Sequence, residues 1–176
     1  MSLFTVLVVA ISLSMDAFSL ALIYGTLNIT KKNMLLIAGS VGIFHFFMPL
    51  FGYLFGSFLN KVFSFDSNFF IAIIFIFLSI EMFISIFKNE EIELFNGVLS
   101  ILLFSFTVSI DSFSVGIGLG VGNDNNYFSF IIFSIVSFLF TYFGLKLGKV
   151  LSLKFGKLST LFGSIILFIL GISHLL

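Results

Sequence analysis

Apolar residues run through this chain in long blocks that polar clusters interrupt at intervals. A helix needs about 20 apolar residues to cross a hydrocarbon layer. On that measure the pattern predicts six spans, near residues 2–27, 33–59, 68–88, 94–122, 127–148 and 157–176. The interruptions NITKKN, NKVFSFDSN, KNEEIE, GNDNN and GKVLSLKFGK carry turn-forming Asn, Gly, Asp and Lys. EEIE at 90–93 reads as a solvated loop. The opening MSLFTVLVVAISLSMDAF has no basic leading segment and no small-residue cleavage site, and its apolar run continues past the aspartate. It therefore reads as a first span rather than a signal peptide.

Composition sharpens this picture. Of 176 residues, 60% are hydrophobic and 9% charged, with mean hydropathy +1.27, whereas a soluble domain is about one-quarter charged. The fold class expected is all-α: a polytopic bundle of six transmembrane helices with no soluble domain appended. Cysteine is absent, which excludes disulfides, thiolate metal sites and thiol nucleophiles, so any metal chemistry uses oxygen or imidazole. The 29 phenylalanines read as lipid-facing or packing residues.

Lysine-rich short loops stay cytoplasmic. Lys31, Lys32, Lys88, Lys146, Lys149, Lys154 and Lys157 border loops on one side and Lys61 alone borders the other, which predicts both termini outside.

Three spans per half is an odd number, so two copied halves would lie upside down relative to each other, as in many transporters. The predicted division is residues 1–88 and 94–176, joined by a cytoplasmic connector at 89–93, together forming one membrane domain. Shifting by 95 places Ser14, Asp16, Phe18, Ser19 and Gly25 on Ser109, Asp111, Phe113, Ser114 and Gly120, and Ser12 on Thr107. Shifting by 92 places FGYLFG at 51–56 on FGLKLG at 143–148, each with a GxxxG pair that permits close helix approach. The third and sixth spans match weakly, with Glu81 and His174 near counterparts at a shift of 92 or 93.

Candidate chemistry follows from the acids. At ~1.5 Å per residue, Asp16 and Asp111 both reach the bilayer middle, where an ionised Asp costs about 2.5–3.5 kcal/mol. Arginine is absent and every lysine falls at a span end or in a loop, so no internal cation neutralises them. Positions four before and three after share a helix face, so Ser12 and Ser19 flank Asp16 while Thr107 and Ser114 flank Asp111. Two such stripes facing each other would offer carboxylate and hydroxyl oxygens to a hard divalent ion, Mn²⁺, Mg²⁺ or Ca²⁺.

Pro49 frees the carbonyl of His45, and that carbonyl with its imidazole could line a cavity or serve only to shape the helix. Glu81 is a further candidate ligand, and His174 a weaker one near the outer interface. GIGLGVG at 116–122 could be a discontinuous, carbonyl-lined segment or a tight packing surface.

SMDAFSLALIYG and SIDSFSVGIGLG, with GIFHFFMPLFGYLFG between them, together resemble the MntP family of bacterial manganese efflux pumps, in the LysE-type transporter superfamily. The resemblance extends over all six spans and rests on the two aspartate motifs and on PLFG at 49–52. It implies export of Mn²⁺ across the bacterial cytoplasmic membrane, with Asp16 and Asp111 in the ion path. It also implies no enzymatic activity and no resident cofactor, the metal being cargo. The expected partners are the bilayer and the divalent ion, with no nucleic acid and no oligomeric state indicated. Alternating access by rocking of the two halves is the expected mechanism, and a proton-driven antiport the expected energetics. The alternatives are a sporulation-associated or structural membrane protein of the same superfamily and, at greater distance, an intramembrane aspartyl peptidase, whose Tyr-Asp and Gly-x-Gly-Asp motifs this chain lacks.

Overall fold

The structure, a computed structural model, describes residues 2–27, 29–63, 66–87, 97–122, 127–148 and 153–175, the first four of the last segment by backbone alone. The predicted connector 89–93, the acidic loop within it, Lys88 and Lys149 lie outside the described residues, as does the Lys154 side chain.

Seven helices make up the described residues: α1 Leu3–Gly25, α2 Lys31–Phe63, α3 Ser67–Ser85, α4 Val98–Val108, α5 Ile110–Val121, α6 Phe128–Leu147 and α7 Leu153–Ser173. Polar residues set several ends. The Ser2 hydroxyl accepts the Thr5 amide at 3.2 Å to open α1, and the Asp66 carboxylate accepts the Asn68 and Phe69 amides at 3.1 and 3.4 Å to open α3, each satisfying first-turn donors that have no helical partner. At the far end of α5 the hydroxyls of Ser57 and Ser67 donate to the carbonyls of Gly120 and Val121.

α1, α2, α3 and α6 are each long and apolar enough to cross a membrane, and α4 with α5 qualifies jointly, bent by 43°. The apolar stretch Lys157–Ser173 of α7 is shorter. The chain is thus a polytopic, all-helical membrane protein. Two departures from the predicted spans bear on function. The fourth span is broken at Ser109 and not at its glycines, while α2 runs unbroken through Pro49.

Packing is interleaved. Apart from the junction of α4 with α5, every substantial helix contact among the described residues joins one of α1–α3 to one of α4–α7. α1 lies along α6 and α7, α2 along α5 and α6, and α3 along α7 and α5. Small residues make the closest approaches. A Cβ on Gly52 or Gly56 of α2 would meet the Phe113 or Ile117 carbonyl of α5, and one on Gly116 or Gly120 of α5 would meet the Pro49 or Tyr53 carbonyl of α2. α1 and α6 mesh likewise, through Ala21 and Gly25 against Gly144 and Gly148. GIGLGVG is therefore a packing surface, fully helical up to Val121. With lipid outside as apolar as the side chains, such backbone-to-backbone contact is the main source of attraction between membrane helices.

The core between the interleaved layers collects Val9, Leu13, Phe75, Leu78, Val115 and Phe133, among others. The α3–α7 pairing centres on Ser79, whose hydroxyl donates to the Ser164 carbonyl at 2.8 Å. Ile80 and Phe83 line the same lipid-facing groove as Ile165 and Phe168.

Candidate polar site at the break in the fourth span

Ser105, Thr107 and Ser109 place hydroxyls at every second position of one helical stretch. Each donates to the carbonyl four residues back, at 2.8, 3.0 and 2.7 Å. Such back-bonding competes with the amide ladder and bends helices. At Ser109 the competition succeeds: its hydroxyl takes the Ser105 carbonyl, its own amide turns to Phe106 at 3.1 Å, and the chain leaves α4 and re-enters as α5 with Ser109 at φ −101°, ψ 1°.

The break puts Asp111 in the first turn of α5. The N-terminus of a helix carries a partial positive charge of about half an elementary unit, so a half-helix beginning inside the span supplies what no lysine among the described residues does. This is the physical reason a carboxylate can reside there. Half-helix ends of this kind are recurrent ion sites in membrane transporters.

His45 docks on the break. It is 1% exposed, with Nδ1 3.0 Å from the Val41 carbonyl and 2.8 Å from the Ser109 hydroxyl. The carbonyl only accepts and the Ser109 proton is already given to Ser105, so Nδ1 carries the hydrogen and donates to both. Nε2 retains its lone pair, the form in which imidazole binds metals.

The first half holds a matching contact. The Ser14 hydroxyl donates to the Ala10 carbonyl at 2.7 Å and lies 2.9 Å from the Ser137 hydroxyl, which is left to donate to it. Yet α1 continues unbroken through Ser14.

The predicted site residues fall in several places. Asp16 and Asp111 are both half-buried, as are Ser19 and Ser114. Glu81 is exposed on α3, one turn from the helix end at Ser85. Ser12 is buried but spends its proton on the Val8 carbonyl, and Thr107 is exposed. Among the described residues no three of His, Asp and Glu gather as a ready metal cage, so Asp16, Asp111, Glu81 and His45 do not form one cluster. Pro49, Gly25 and Gly120 sit in the tight helix interfaces. His174 bonds to the Leu170 carbonyl and lies edge-on to Phe75, a packing role.

Helical spacing singles out the serines flanking the aspartates, whereas the interhelix contacts are made by Ser14 and Ser109, which the shift of 95 pairs without assigning a role, and by Ser137, which it does not reach. The signal that could have found them is the hydroxyl run 105, 107, 109 and the position of Ser109 on Ser14 in the repeat.

Comparison with known proteins follows the same lines. Residues 28–175 match the family model Mntp, described as "Putative manganese efflux pump". Proteins named "Putative manganese efflux pump MntP" are similar to the chain. That of Geobacillus thermodenitrificans is 33% identical over 168 residues, 94% of this chain and 91% of that one. That of Bacillus pumilus is 34% identical over 174 residues, 98% and 95%. That of Bacillus cereus is 34% identical over 166 residues, 94% and 91%. No solved structure matches.

Proposed function

The chain belongs to the Mntp family, and from that membership we propose that it exports Mn²⁺ from the cytoplasm by alternating access, with Asp16 and Asp111 holding the ion near mid-membrane. The metal is substrate, not a resident cofactor, and the protein is a pump and not an enzyme. The observation that carries the site is the broken fourth span, which gives Asp111 a half-helix N-terminus where no basic partner stands among the described residues.

The architecture in this reading is six spans in two inverted repeats, 1–88 and 94–176, with both termini outside the cytoplasmic membrane. The mirrored polar contacts support it: adding 95 to Ser14 gives Ser109 and subtracting 92 from Ser137 gives His45, so one contact recurs in both halves. The glycine interfaces recur in the same way. Interleaved packing favours the glycine-meshed pairs α1 with α6 and α2 with α5 as the bodies that move, in place of one sequence half rocking on the other.

Glu81, exposed near the cytoplasmic end of α3 in this reading, is a vestibule carboxylate that draws the cation inward. His45 Nε2 and the carbonyls at the end of α4 are neutral donors for an ion held at Asp111; Ser12, Ser19, Thr107 and Ser114 line the path.

The test is Mn²⁺ flux in vesicles carrying the parent, Asp16→Asn or Asp111→Asn. Each single change is expected to abolish flux while leaving the protein folded in the membrane. Undiminished flux in both variants would remove the aspartates from the ion path.

A further inference from the structure

The two halves hold the same serine in two different settings. In the fourth span, Ser109 meets His45 and the helix is broken, with a 43° bend. In the first span, Ser14 meets Ser137 and the helix is continuous from Leu3 to Gly25. Both serines already bond the carbonyl four residues back, at the same 2.7 Å, so both sites are primed to bend. What differs is the partner across the interface, an imidazole in one half and a hydroxyl in the other.

Ser109 gives its only proton to Ser105 and receives a hydrogen bond from the imidazole, which suits a serine oxygen turned away from its own ladder. Ser137 is shorter by a ring. It reaches Ser14 at 2.9 Å with the first span still straight.

We propose that Ser14 and Ser109 are the two positions of one hinge, and that access alternates by exchanging them. In the opposite-facing state α1 breaks at Ser14, placing Asp16 just inside a new half-helix as Asp111 is now, while α4 and α5 join into one continuous span. His45 is the positioning residue that holds the hinge in its present setting.

The exchange rests on the inverted-repeat reading above. It adds to that reading a location for the motion, a reason for a histidine at position 45, and a reason the carboxylates take turns at a helix N-terminus: each is stabilised by the half-helix only while its own span is broken. A ligand that prefers one setting shifts the population between them in proportion to that preference.

The test uses the full-length protein in nanodiscs and hydrogen exchange resolved to peptides spanning Ser14 and Ser109. A break costs helical hydrogen bonds, so in the parent the amides around Ser109 are expected to exchange on the order of tenfold faster than those around Ser14. The double variant His45→Ser with Ser137→His moves the imidazole to the other half and is expected to invert that ratio. A general loss of packing at His45 would raise exchange at Ser109 without protecting it and without loosening Ser14.

His45→Ser alone makes the two contacts alike and is expected to bring the two rates together. It serves as the second variant should the double one not assemble. If the fast-exchanging site stays at Ser109 in every variant, the hinge proposal is overturned. Mn²⁺ flux by the parent in vesicles is read separately: active flux with an immovable break sinks the hinge alone, while absent flux sinks the pump reading.

Discussion

Substituting Gly116 by alanine tests whether the α2–α5 interface has the closeness on which the site depends. The added methyl would fall on the Pro49 carbonyl oxygen, 2.6 Å from the Pro49 Cα and 2.7 Å from its carbonyl carbon. Carbon atoms pack best at about 3.5–4.0 Å, so the helices must part by about 1 Å. The obstructing atoms are backbone, held by Gly52, Gly56 and Gly120 on either side, and no flexible side chain can yield. Overpacking of this kind costs about 1–3 kcal/mol, and a rigid obstacle places it toward the upper end. Gly39 is the control, on the same helix as Pro49 but with nothing within 4 Å of a built Cβ. Gly39→Ala should gain up to about 1 kcal/mol of helix propensity. Thermal unfolding in detergent should then separate the two variants by several degrees, in opposite directions from the parent. Because the 2.8 Å contact of Ser109 with His45 crosses the same interface, Gly116→Ala should also lose most Mn²⁺ flux. The reasoning fails if Gly116→Ala melts with Gly39→Ala and transports fully.

The Thr141 hydroxyl, like that of Ser129, is buried with no hydrogen-bond partner among the described residues, so Thr141→Val should leave flux intact and raise stability by about 1 kcal/mol, read as the same unfolding transition. Glu81→Gln should weaken Mn²⁺ capture at low ionic strength and converge with the parent in high salt, because an exposed charge acts at range and is screened; initial rates at several salt concentrations decide it. If protons replace the metal on the return step, as the antiport expectation has it, export should slow when an uncoupler collapses the proton gradient, as measured by Mn²⁺ flux in vesicles at constant membrane potential.

Much of the candidate site was legible from residue type alone. Asp16 and Asp111 stand out because hydrocarbon penalises a carboxylate wherever the chain later folds, and the motif they share is visible because aspartate is rare in apolar runs. The third and sixth spans gave no such foothold, because Ile and Phe match Ile and Phe at many shifts, and it took the fold to show that α3 and α7 pack together with Ser79 bonded to the Ser164 carbonyl. Glu81 was legible as an acid but not as an exposed one, since exposure depends on which helix faces which.

The sequence by itself determined a multi-span helical membrane protein with two paired acids, because hydropathy over about 20 residues and the cost of a buried charge are local properties of the chain. Only tertiary structure decided that the halves interleave, that GIGLGVG packs while Ser109 breaks, and that His45 and Ser137 select different settings of the same serine. Those outcomes depend on which backbone approaches which, and a helix broken by one back-bonded serine differs from an intact one by about a hydrogen bond, a margin that a single neighbouring side chain is enough to tip.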